Sequence, residues 1–551
     1  MTSTKTNAVL VSMLLGPLAM SVGPAAAQTD CSVRALIGDI TTAPGEAAAA
    51  ALFEGGVFTA AGDVTIADEV PEACRIVLPE GAVALPGLHD AHAHLLGIGL
   101  REMTLNLDDV RSVTALKAKV AAAAEGLDAG ETLYGRGWIE TGWPEGRMPT
   151  KQDLDEVVDD RPVLLTRADG HAMVVNSAAL SAARIDASTE DPAGGLIVRD
   201  EMGEATGLLI DTAQRLVADL RPQMTEDRKR EGLKRGAEVM AARGWTAVHN
   251  MSVGPEEPVM MAALAASGEF PIRVFNYLDA EGLEGLAEGA AGCDETGLVC
   301  NMGIKLYVDG ALGSRGALLF EPYSDDPGNL GLQLIEKEDA LSLMTKALDA
   351  GLQVATHAIG DRGNSLVLSW YQELLSDDND RRWRIEHAQV VRPSEIDLFA
   401  EGRIIPSMQP SHAIGDLLFA KDRLGEERLN GAYAWAPFVD SGAVLVSGSD
   451  APVEVGDPRI EIHAATRRTG LDGFEDDHWH PEYALTPEQA LASFTTSAAF
   501  AVFEEDAIGQ IAPGYRADVT VFSADPFTTP WDEVEVVGTL IDGTLTGTLA
   551  E

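Results

Sequence analysis

Residues 86–96 have the sequence Pro-Gly-Leu-His-Asp-Ala-His-Ala-His-Leu-Leu and follow an apolar run from Val83 to Leu85. This pattern predicts the end of a buried β-strand. Residues two apart on a strand point to the same face, roughly 6.5–7 Å apart, so His92 and His94 can offer two imidazoles to one metal ion. A His-x-His pair is by itself weak evidence for a metal site. The alternative is that the two histidines do not act together.

Composition limits the class of protein. The chain has 551 residues, of which 46% are hydrophobic, and a formal net charge of −47. This length allows one large domain and a smaller one. A strongly acidic surface argues against nucleic-acid binding, which needs a basic patch. The acidic residues are spread along the chain, which is typical of a solvated surface.

The first 27 residues resemble a secretory signal peptide. Lys5 is their only charge, an apolar run extends from Ala8 to about Met20, and small residues precede Gln28. A membrane anchor is the alternative, but the run is too short to cross a bilayer and no other stretch is long enough. We therefore expect a periplasmic or secreted protein with no membrane span after signal removal.

The four cysteines are Cys31, Cys74, Cys293 and Cys300. An even number in an exported chain favours disulfides. The local pairing joins the first two and the last two. Two other pairings, and four free thiols, are the alternatives.

Short strand patterns occur at both ends of the mature chain. Residues 28–85 alternate apolar runs with glycine and proline, and residues 505–551 contain strand-like segments at 517–522 and 534–541. Neither end forms a complete core alone. We therefore predict one small β-sandwich built from both, beside a main domain over residues 86–504.

In the main domain strand and helix patterns alternate, which predicts an α/β fold with a parallel sheet. Helices are predicted at 225–243, with Thr225 as N-cap, and at 336–350, ended by Gly351. Eight apolar strand candidates lie at 82–88, 245–249, 272–277, 303–308, 353–357, 384–387, 404–408 and 444–447. Eight strands with intervening helices predict a (β/α)₈ TIM-like barrel.

The segment between His94 and Trp245 is too long for one barrel connection. A helix at about 112–124 and an insertion over about 130–225, after the first barrel strand, account for it. Trp138 and Trp143 lie in this insertion. As exposed side chains near the barrel mouth they would bind substrate, and core packing within the insertion is the alternative.

Candidate ligands fall where barrels of this class hold their active sites, at the carboxyl ends of the strands. They are His92, His94, Lys305, His357, His387 and Asp450. Imidazoles and a carboxylate suit one or two divalent ions such as zinc, which lower the pKa of bound water towards about 7 and polarise a carbonyl. Asp450 can pass a proton from this water to the leaving group. Lys305 becomes a good ligand if carbon dioxide converts it to a carbamate, which can bridge two ions.

The order His-x-His, Lys, His, His, Asp resembles the binuclear arrangement of the amidohydrolase superfamily of metal-dependent hydrolases. The resemblance covers nearly the whole mature chain. It includes Ile-Gly-Gln-Ile-Ala-Pro-Gly at 508–514, followed by Ala517 and Asp518, which is similar to the family's return into its β-sandwich. Residues 138–146, 169–171 and Lys305 with 309–310 resemble the amidohydrolase-3 branch, which includes N-substituted formamide deformylase.

This resemblance implies a role for each ligand. It places His92, His94 and Asp450 on a first metal, His357 and His387 on a second, and Lys305, carboxylated, between them. Two positions depart from the family's pattern. Asn250 follows His249 where relatives are expected to have aspartate, and His89 stands where they have an apolar residue.

Four further residues are candidates for contact with substrate. His171 is the candidate catalytic donor to the oxyanion. His249 ends a predicted strand, His412 follows another, and both would face the barrel mouth. Arg315 would bind a substrate carboxylate. An ordinary structural role is the alternative for each.

We predict an exported metal-dependent amidohydrolase that uses metal-activated water to cleave a non-peptide C–N bond, as in an amide, formamide or N-acyl compound. The same site acting on an ester, lactone or carbamate is one alternative. A non-catalytic periplasmic binding protein is another, disfavoured because lost turnover would be expected to erode the ligand set. The expected partner is a small-molecule substrate and not nucleic acid. The sequence does not decide between a monomer and a homodimer.

Overall fold

The computed structural model describes residues 31–127, 130–140, 142–168, 170, 172–192, 195–376, 378–471, 473–474 and 479–546. The predicted signal peptide, residues 1–27, lies outside the described residues. Within the described ranges, no helix is both long and apolar enough to cross a membrane.

Eight parallel strands form the central barrel, as predicted. Their bounds are Leu88–Ala93, Trp245–Val253, Arg273–Asp279, Val299–Tyr307, Gln353–Ala358, Arg384–His387, Ile405–Met408 and Val446–Ser447. Each is hydrogen-bonded to the next in chain order, and a parallel bridge between Ala93 and Ala451 brings the last strand end to the first. The carboxyl ends of all eight strands therefore surround one mouth.

Helices follow most of the strands and pack around the barrel. They are Leu95–Glu102, Glu226–Ala242, Glu257–Ala266, Lys337–Asp349, Asp361–Leu374, Asp397–Glu401, Pro410–Asp416, Ala420–Leu424, Trp435–Asp440, Pro458–Arg467, Pro487–Phe494 and Thr496–Ala501. The Thr225 hydroxyl accepts from the Arg228 backbone N–H and so caps the helix predicted there. Gly351, at φ +75°, follows the helix predicted to end before it.

The predicted bounds of the first barrel strand, 82–88, are wrong, because this apolar run contributes to two different sheets. Val83–Pro86 pairs with Val519–Phe522 in the sheet formed by the chain ends, and Leu88–Ala93 is the barrel strand. A Cβ atom on Gly87, between them, would lie 2.4 Å from Thr246 Oγ1, so only glycine fits this crossing. His92 consequently lies within the barrel strand rather than after it.

The two ends of the chain pair in one further sheet, where a small β-sandwich built from both ends was predicted. Its eight strands are Val33–Ala43, Glu46–Glu54, Val57–Gly62, Arg75–Val77, Val83–Pro86, Val519–Phe522, Val536–Ile541 and Thr544–Thr546. Leu36, Phe53 and Phe58 from one end share a core with Val521 and Leu540 from the other. The local disulfide pairing is confirmed, because Cys31 is bonded to Cys74 and Cys293 to Cys300.

A third sheet is inserted after the first barrel strand. Its strands are Leu105–Asn106, Leu133–Trp138, Val163–Arg167, Ala172–Val175, Gly195–Arg199 and Ala205–Asp211, with helices Val113–Ala124, Lys151–Asp155 and Ser177–Ala182. This insertion thus begins near Leu105, upstream of the predicted 130, because the helix predicted at 112–124 packs into the insertion's own core.

The prediction that Trp138 and Trp143 bind substrate is wrong. Both are buried in the core of the insertion. The Trp138 indole N–H donates to the Leu165 carbonyl at 2.8 Å, and that of Trp143 to the Val110 carbonyl at 3.2 Å. A separate sheet needs its own apolar core, and large aromatic side chains supply it.

Candidate metal centre

The predicted ligands converge on one cavity of about 720 Å³ at the barrel mouth. The cavity is lined by His92, His94, Lys305, His357, His387 and Asp450. The insertion closes part of it, with Asp108, Arg111, Glu140 and Arg167 in the wall. Residues separated by more than three hundred positions in the chain therefore face one enclosed space.

Three of the histidines are held so that the same ring nitrogen faces the cavity. The Nδ1–H of His92 donates to Glu386 Oε2 at 2.6 Å, and that of His94 to the Met251 carbonyl at 3.0 Å. His387 Nδ1–H donates to Gln409 Oε1 at 2.7 Å. Because each Nδ1 carries the proton, each Nε2 keeps its lone pair for a metal ion.

The donor set fits a divalent metal ion. One ligand atom each from His92, His387 and Asp450 lie within 4.8 Å of one another. Asp450 Oδ1 lies 3.4 Å from His92 Nε2 and 3.1 Å from His94 Nε2. His357 Nε2 and Asp450 Oδ1 are buried and have no hydrogen-bond partner among the residues that the structure describes. Buried polar atoms without partners are costly unless an ion or water completes them.

The electrostatics keep these groups in the protonation states that metal ligation needs. Burial lowers the pKa of His357 to about 3 and that of His387 well below its usual value. Burial also lowers the pKa of His94. Burial alone would raise the pKa of Asp450, but the His92 and His94 imidazoles bring it well below its usual range. His94, His357 and His387 are therefore neutral and Asp450 is charged at neutral pH.

Lys305 lies in the wall of the same cavity, beside His92. Its Nζ is 3.4 Å from His92 Nε2 and 4.9 Å from the centre of the Tyr307 ring, and the residue is 2% exposed. Burial lowers the pKa of its ammonium group to about 8. Within the described residues no carboxylate forms an ion pair with it.

Comparisons with known proteins agree with this geometry. A sequence model of the amidohydrolase family matches residues 80–546, which is most of the chain. The chain belongs to the amidohydrolase family. A crystal structure of an uncharacterized metal-dependent hydrolase from Pyrococcus horikoshii OT3 has a TM-score of 0.75 and 27% identity, covering 92% of this chain and 100% of that one.

Three curated relatives match over most of their length. YtcJ of Bacillus subtilis, which is named as an amidohydrolase, is 36% identical over 83% of this chain and 87% of its own. The protein LONG AFTER FAR-RED 3 of Arabidopsis thaliana is 35% identical over 82% of this chain and 79% of its own. N-substituted formamide deformylase of Arthrobacter pascens is 25% identical over 84% of this chain and 88% of its own.

The sequence interpretation missed the groups beneath the ligands of this amidohydrolase. Arg384 donates to Glu386 Oε1 at 2.5 Å and to the Ala91 carbonyl at 2.6 Å, and neither Arg384 nor Glu386 is exposed. Burial would raise the pKa of Glu386, but Arg384 and His92 bring it well below its usual value. The alternation Arg-Ile-Glu in a buried strand indicated two charged side chains on its inner face.

Asp309, which the sequence placed in a motif without a role, lies beside His357. Asp309 Oδ1 lies 3.6 Å from His357 Nε2, and its carboxylate accepts from the backbone N–H groups of Leu318, Ile359 and Gly360. Burial raises its pKa to about 7 despite these bonds. Asp309 therefore ties the loop after the fourth barrel strand to the end of the fifth.

Of the four predicted substrate contacts outside the insertion core, His412 alone is seen in the cavity wall. It is 9% exposed, and its Nε2 lies 3.6 Å from Asp450 Oδ2 and has no hydrogen-bond partner in the described part of the chain. Its ring stacks on His387, with ring centres 5.6 Å apart. His171 lies outside the described residues.

The predictions for His249 and Arg315 are wrong. His249 points into the barrel interior, fully buried, with Nδ1 2.9 Å from Arg384 Nη1 and its ring against His89 and Phe275. It lies within a strand that continues to Val253, so it does not reach the mouth. Arg315 pairs with Asp325 at 2.8 Å and does not line the cavity.

Proposed function

We propose that this amidohydrolase hydrolyses a non-peptide C–N bond of a small molecule, as in an amide, formamide or N-acyl compound. The convergence of neutral histidines, Lys305 and a charged Asp450 on one cavity carries the proposal. The printed name of the Arthrobacter pascens relative, N-substituted formamide deformylase, favours this bond. The cavity volume suits a substrate of small-molecule size.

His92, His94 and Asp450 would hold one divalent ion, with His357 and His387 holding a second. A bound ion of this kind supplies Lewis-acid chemistry, which makes water acidic enough to attack at neutral pH and polarises a carbonyl group. Lys305 lines the same cavity, with its Nζ 3.4 Å from His92 Nε2. We propose that Lys305 would be carboxylated when ions are bound and would serve as a further ligand as a carbamate, because a cationic ammonium beside two ions would repel both.

Asp450 is the proposed proton carrier. Its Oδ1 faces His94 and its Oδ2 faces His412, so its carboxylate would reach both the attacking water and the substrate. It would accept the proton of the attacking water and deliver it to the departing nitrogen, so that an amide and water become an acid and an amine.

His412 is the proposed donor to the substrate oxygen. Its unpartnered Nε2 is available to donate to the charge that develops on the carbonyl oxygen. His171 remains predicted for the same role. A His412→Gln variant that lost kcat while keeping metal would support this assignment.

The test is a substrate panel on metal-loaded and chelator-treated protein. It should compare matched pairs with the same acyl group, one an amide or formamide and the other an ester, lactone or carbamate. We expect metal-dependent release of amine, with kcat/KM for the amides above that for the oxygen compounds. Faster cleavage of the oxygen compounds would contradict the proposed C–N bond. Tight binding without any turnover would favour a non-catalytic binding protein.

We also propose that the mature chain is exported. Two disulfides support this, since such bonds persist in oxidising compartments. Mass spectrometry of protein from fractionated cells should find a chain that begins near Gln28, with four oxidised cysteines. An intact residue 1 and free thiols in the cytoplasmic fraction would contradict export.

A further inference from the structure

The loop that follows the last barrel strand packs directly onto the first barrel strand. A Cβ atom on Gly448 would lie 2.3 Å from the His92 backbone nitrogen, so only glycine allows this close approach. The Asp450 N–H donates to the His92 carbonyl at 2.6 Å, and the His94 N–H donates to the Ala451 carbonyl at 2.8 Å. The strand that carries two proposed metal ligands therefore sets the place of the loop that carries the proposed proton carrier.

Asp450 has a backbone conformation that its surroundings must stabilise. Its φ is +59°, in the left-handed region, which is uncommon for a residue other than glycine. Such a conformation persists only where neighbouring contacts hold it. The position of the Asp450 carboxylate consequently depends on the bonds made by the residues on either side of it.

One buried carboxylate, that of Asp90, supplies these bonds. Its Oδ1 accepts from the backbone N–H groups of His92, at 3.1 Å, and Ser449, at 2.9 Å. Its Oδ2 accepts from the Ser449 hydroxyl at 2.5 Å, and the oxygen of that hydroxyl accepts from the Ala451 N–H at 3.0 Å. Asp90 thus bonds the strand directly, and through Ser449 it holds both neighbours of Asp450.

Asp90 and Ser449 do not contact substrate themselves. Neither residue is exposed, and neither lines the cavity. Within the described residues, all three hydrogen bonds to the Asp90 carboxylate come from His92 and Ser449. A buried carboxylate is costly unless donors satisfy it, and here every donor belongs to the junction between the ligand strand and the Asp450 loop.

We propose that Asp90 is a positioning residue for the reaction, which acts through Ser449 to hold the Asp450 carboxylate against the metal ligands. This inference rests on the proposed function, in which Asp450 carries the proton. The structure places Asp450 Oδ1 3.1 Å from His94 Nε2. A displacement of about 1 Å in a reacting group can lower a rate by about 100-fold, so loss of the Asp90 contacts should slow proton transfer without removing a substrate contact.

Ser449→Ala tests this role with little change of volume. It removes the hydroxyl between Asp90 and the Ala451 N–H and leaves the ligands in place. We expect kcat, for the amide or formamide that the unmodified enzyme hydrolyses fastest, to fall at least about tenfold with KM nearly unchanged. Ser493→Ala is the matched control and should keep kcat, because the Ser493 hydroxyl is equally buried but donates to the Ala490 carbonyl in its own helix. No fall in kcat for Ser449→Ala, or the same fall in both variants, would overturn the positioning role.

Two variants of Asp90 separate position from general stability. Asp90→Asn keeps an oxygen for the two N–H groups and an amide that can donate to Ser449 Oγ, whereas Asp90→Val has a similar shape and no acceptor. We expect kcat to fall much further in Asp90→Val than in Asp90→Asn. Competition with a chelator should also show at least about tenfold weaker Zn²⁺ binding in Asp90→Val alone, since His92 and Asp450 both lose their support. Equal kcat and equal Zn²⁺ affinity in the two variants would overturn the inference, and Ser449→Ala decides if Asp90→Val fails to fold.

Zn²⁺ binding separates this inference from the proposed function. If the unmodified protein binds Zn²⁺ but hydrolyses no amide or formamide, the proposed function fails. Weaker Zn²⁺ binding in Asp90→Val than in Asp90→Asn would then still support the positioning of Asp450 by Asp90. Amide hydrolysis by the unmodified protein, with kcat and Zn²⁺ affinity unchanged in Ser449→Ala and Asp90→Val, would overturn the positioning role and leave the proposed function intact.

Discussion

His92 and Glu386 form a buried pair in which His92 Nδ1 lies 2.6 Å from Glu386 Oε2 and neither side chain is exposed. Arg384 forms an ion pair with the other carboxylate oxygen of Glu386, Oε1. This arrangement fixes the ring orientation and the tautomer of His92 before any metal ion arrives. The contacts from Arg384 to Glu386 and from Glu386 to His92 therefore orient a metal ligand inside the barrel, away from solvent.

Replacing Glu386 by Gln should weaken metal binding by about 10- to 100-fold, because the amide accepts a weaker hydrogen bond from His92. Competition with a chelator of known affinity measures this change. Glu338→Gln, at an exposed helix position, is the matched control. Equal metal affinity in all three proteins would show that the pair does not support the ligand.

Replacing Asp450 by Asn should lower kcat by about 10²- to 10⁴-fold, because the amide cannot carry the proton. Metal content must be measured on the same sample, since Asp450 Oδ1 also faces the ligand histidines. Full metal content with unchanged kcat would remove Asp450 from the reaction.

Replacing Trp138 by Ala should destabilise the chain by about 3–5 kcal/mol through the cavity that it leaves in the insertion core. Trp138→Phe keeps most of the packing and loses the bond to the Leu165 carbonyl, which costs about 1 kcal/mol. Urea unfolding measures both. Near-equal KM values for Trp138→Phe and the unmodified enzyme are expected, and a large rise in KM at unchanged stability would restore the indole as a substrate contact.

Glu257 should make stability depend on pH. It is 7% exposed, and burial raises its pKa from 4.5 to about 7. The folded chain then binds this proton more tightly than the unfolded chain, so the free energy of unfolding falls as pH rises from about 4.5 to 7. Glu257→Gln should remove up to about 3 kcal/mol of that fall, measured by urea unfolding at about pH 5 and pH 8. An identical pH profile for the variant would show that Glu257 is solvated in the folded state.

The ligands could be predicted from sequence because each lies in or just after the carboxyl-terminal part of an apolar strand, and the strand ends of a barrel meet by topology. The environments of His249 and Trp138 could not be predicted, since the face on which a side chain lies depends on the register of its strand and on where that strand ends. The first strand was misplaced for a related reason, because the run before Gly87 continues into a second sheet. Asp90 and Ser449 come from the first barrel strand and the loop after the last, whose contact no local pattern predicts.

Metal content is the most direct test of the metal-dependent site. The mature protein and a His92→Ala/His94→Ala variant should be analysed by elemental mass spectrometry after reconstitution, with amide hydrolysis measured on the same samples. We expect about two divalent ions per chain in the unmodified protein, fewer in the variant, and loss of hydrolysis when the ions are removed. No bound metal after reconstitution, or the same content in both proteins, would contradict the metal centre at the barrel mouth.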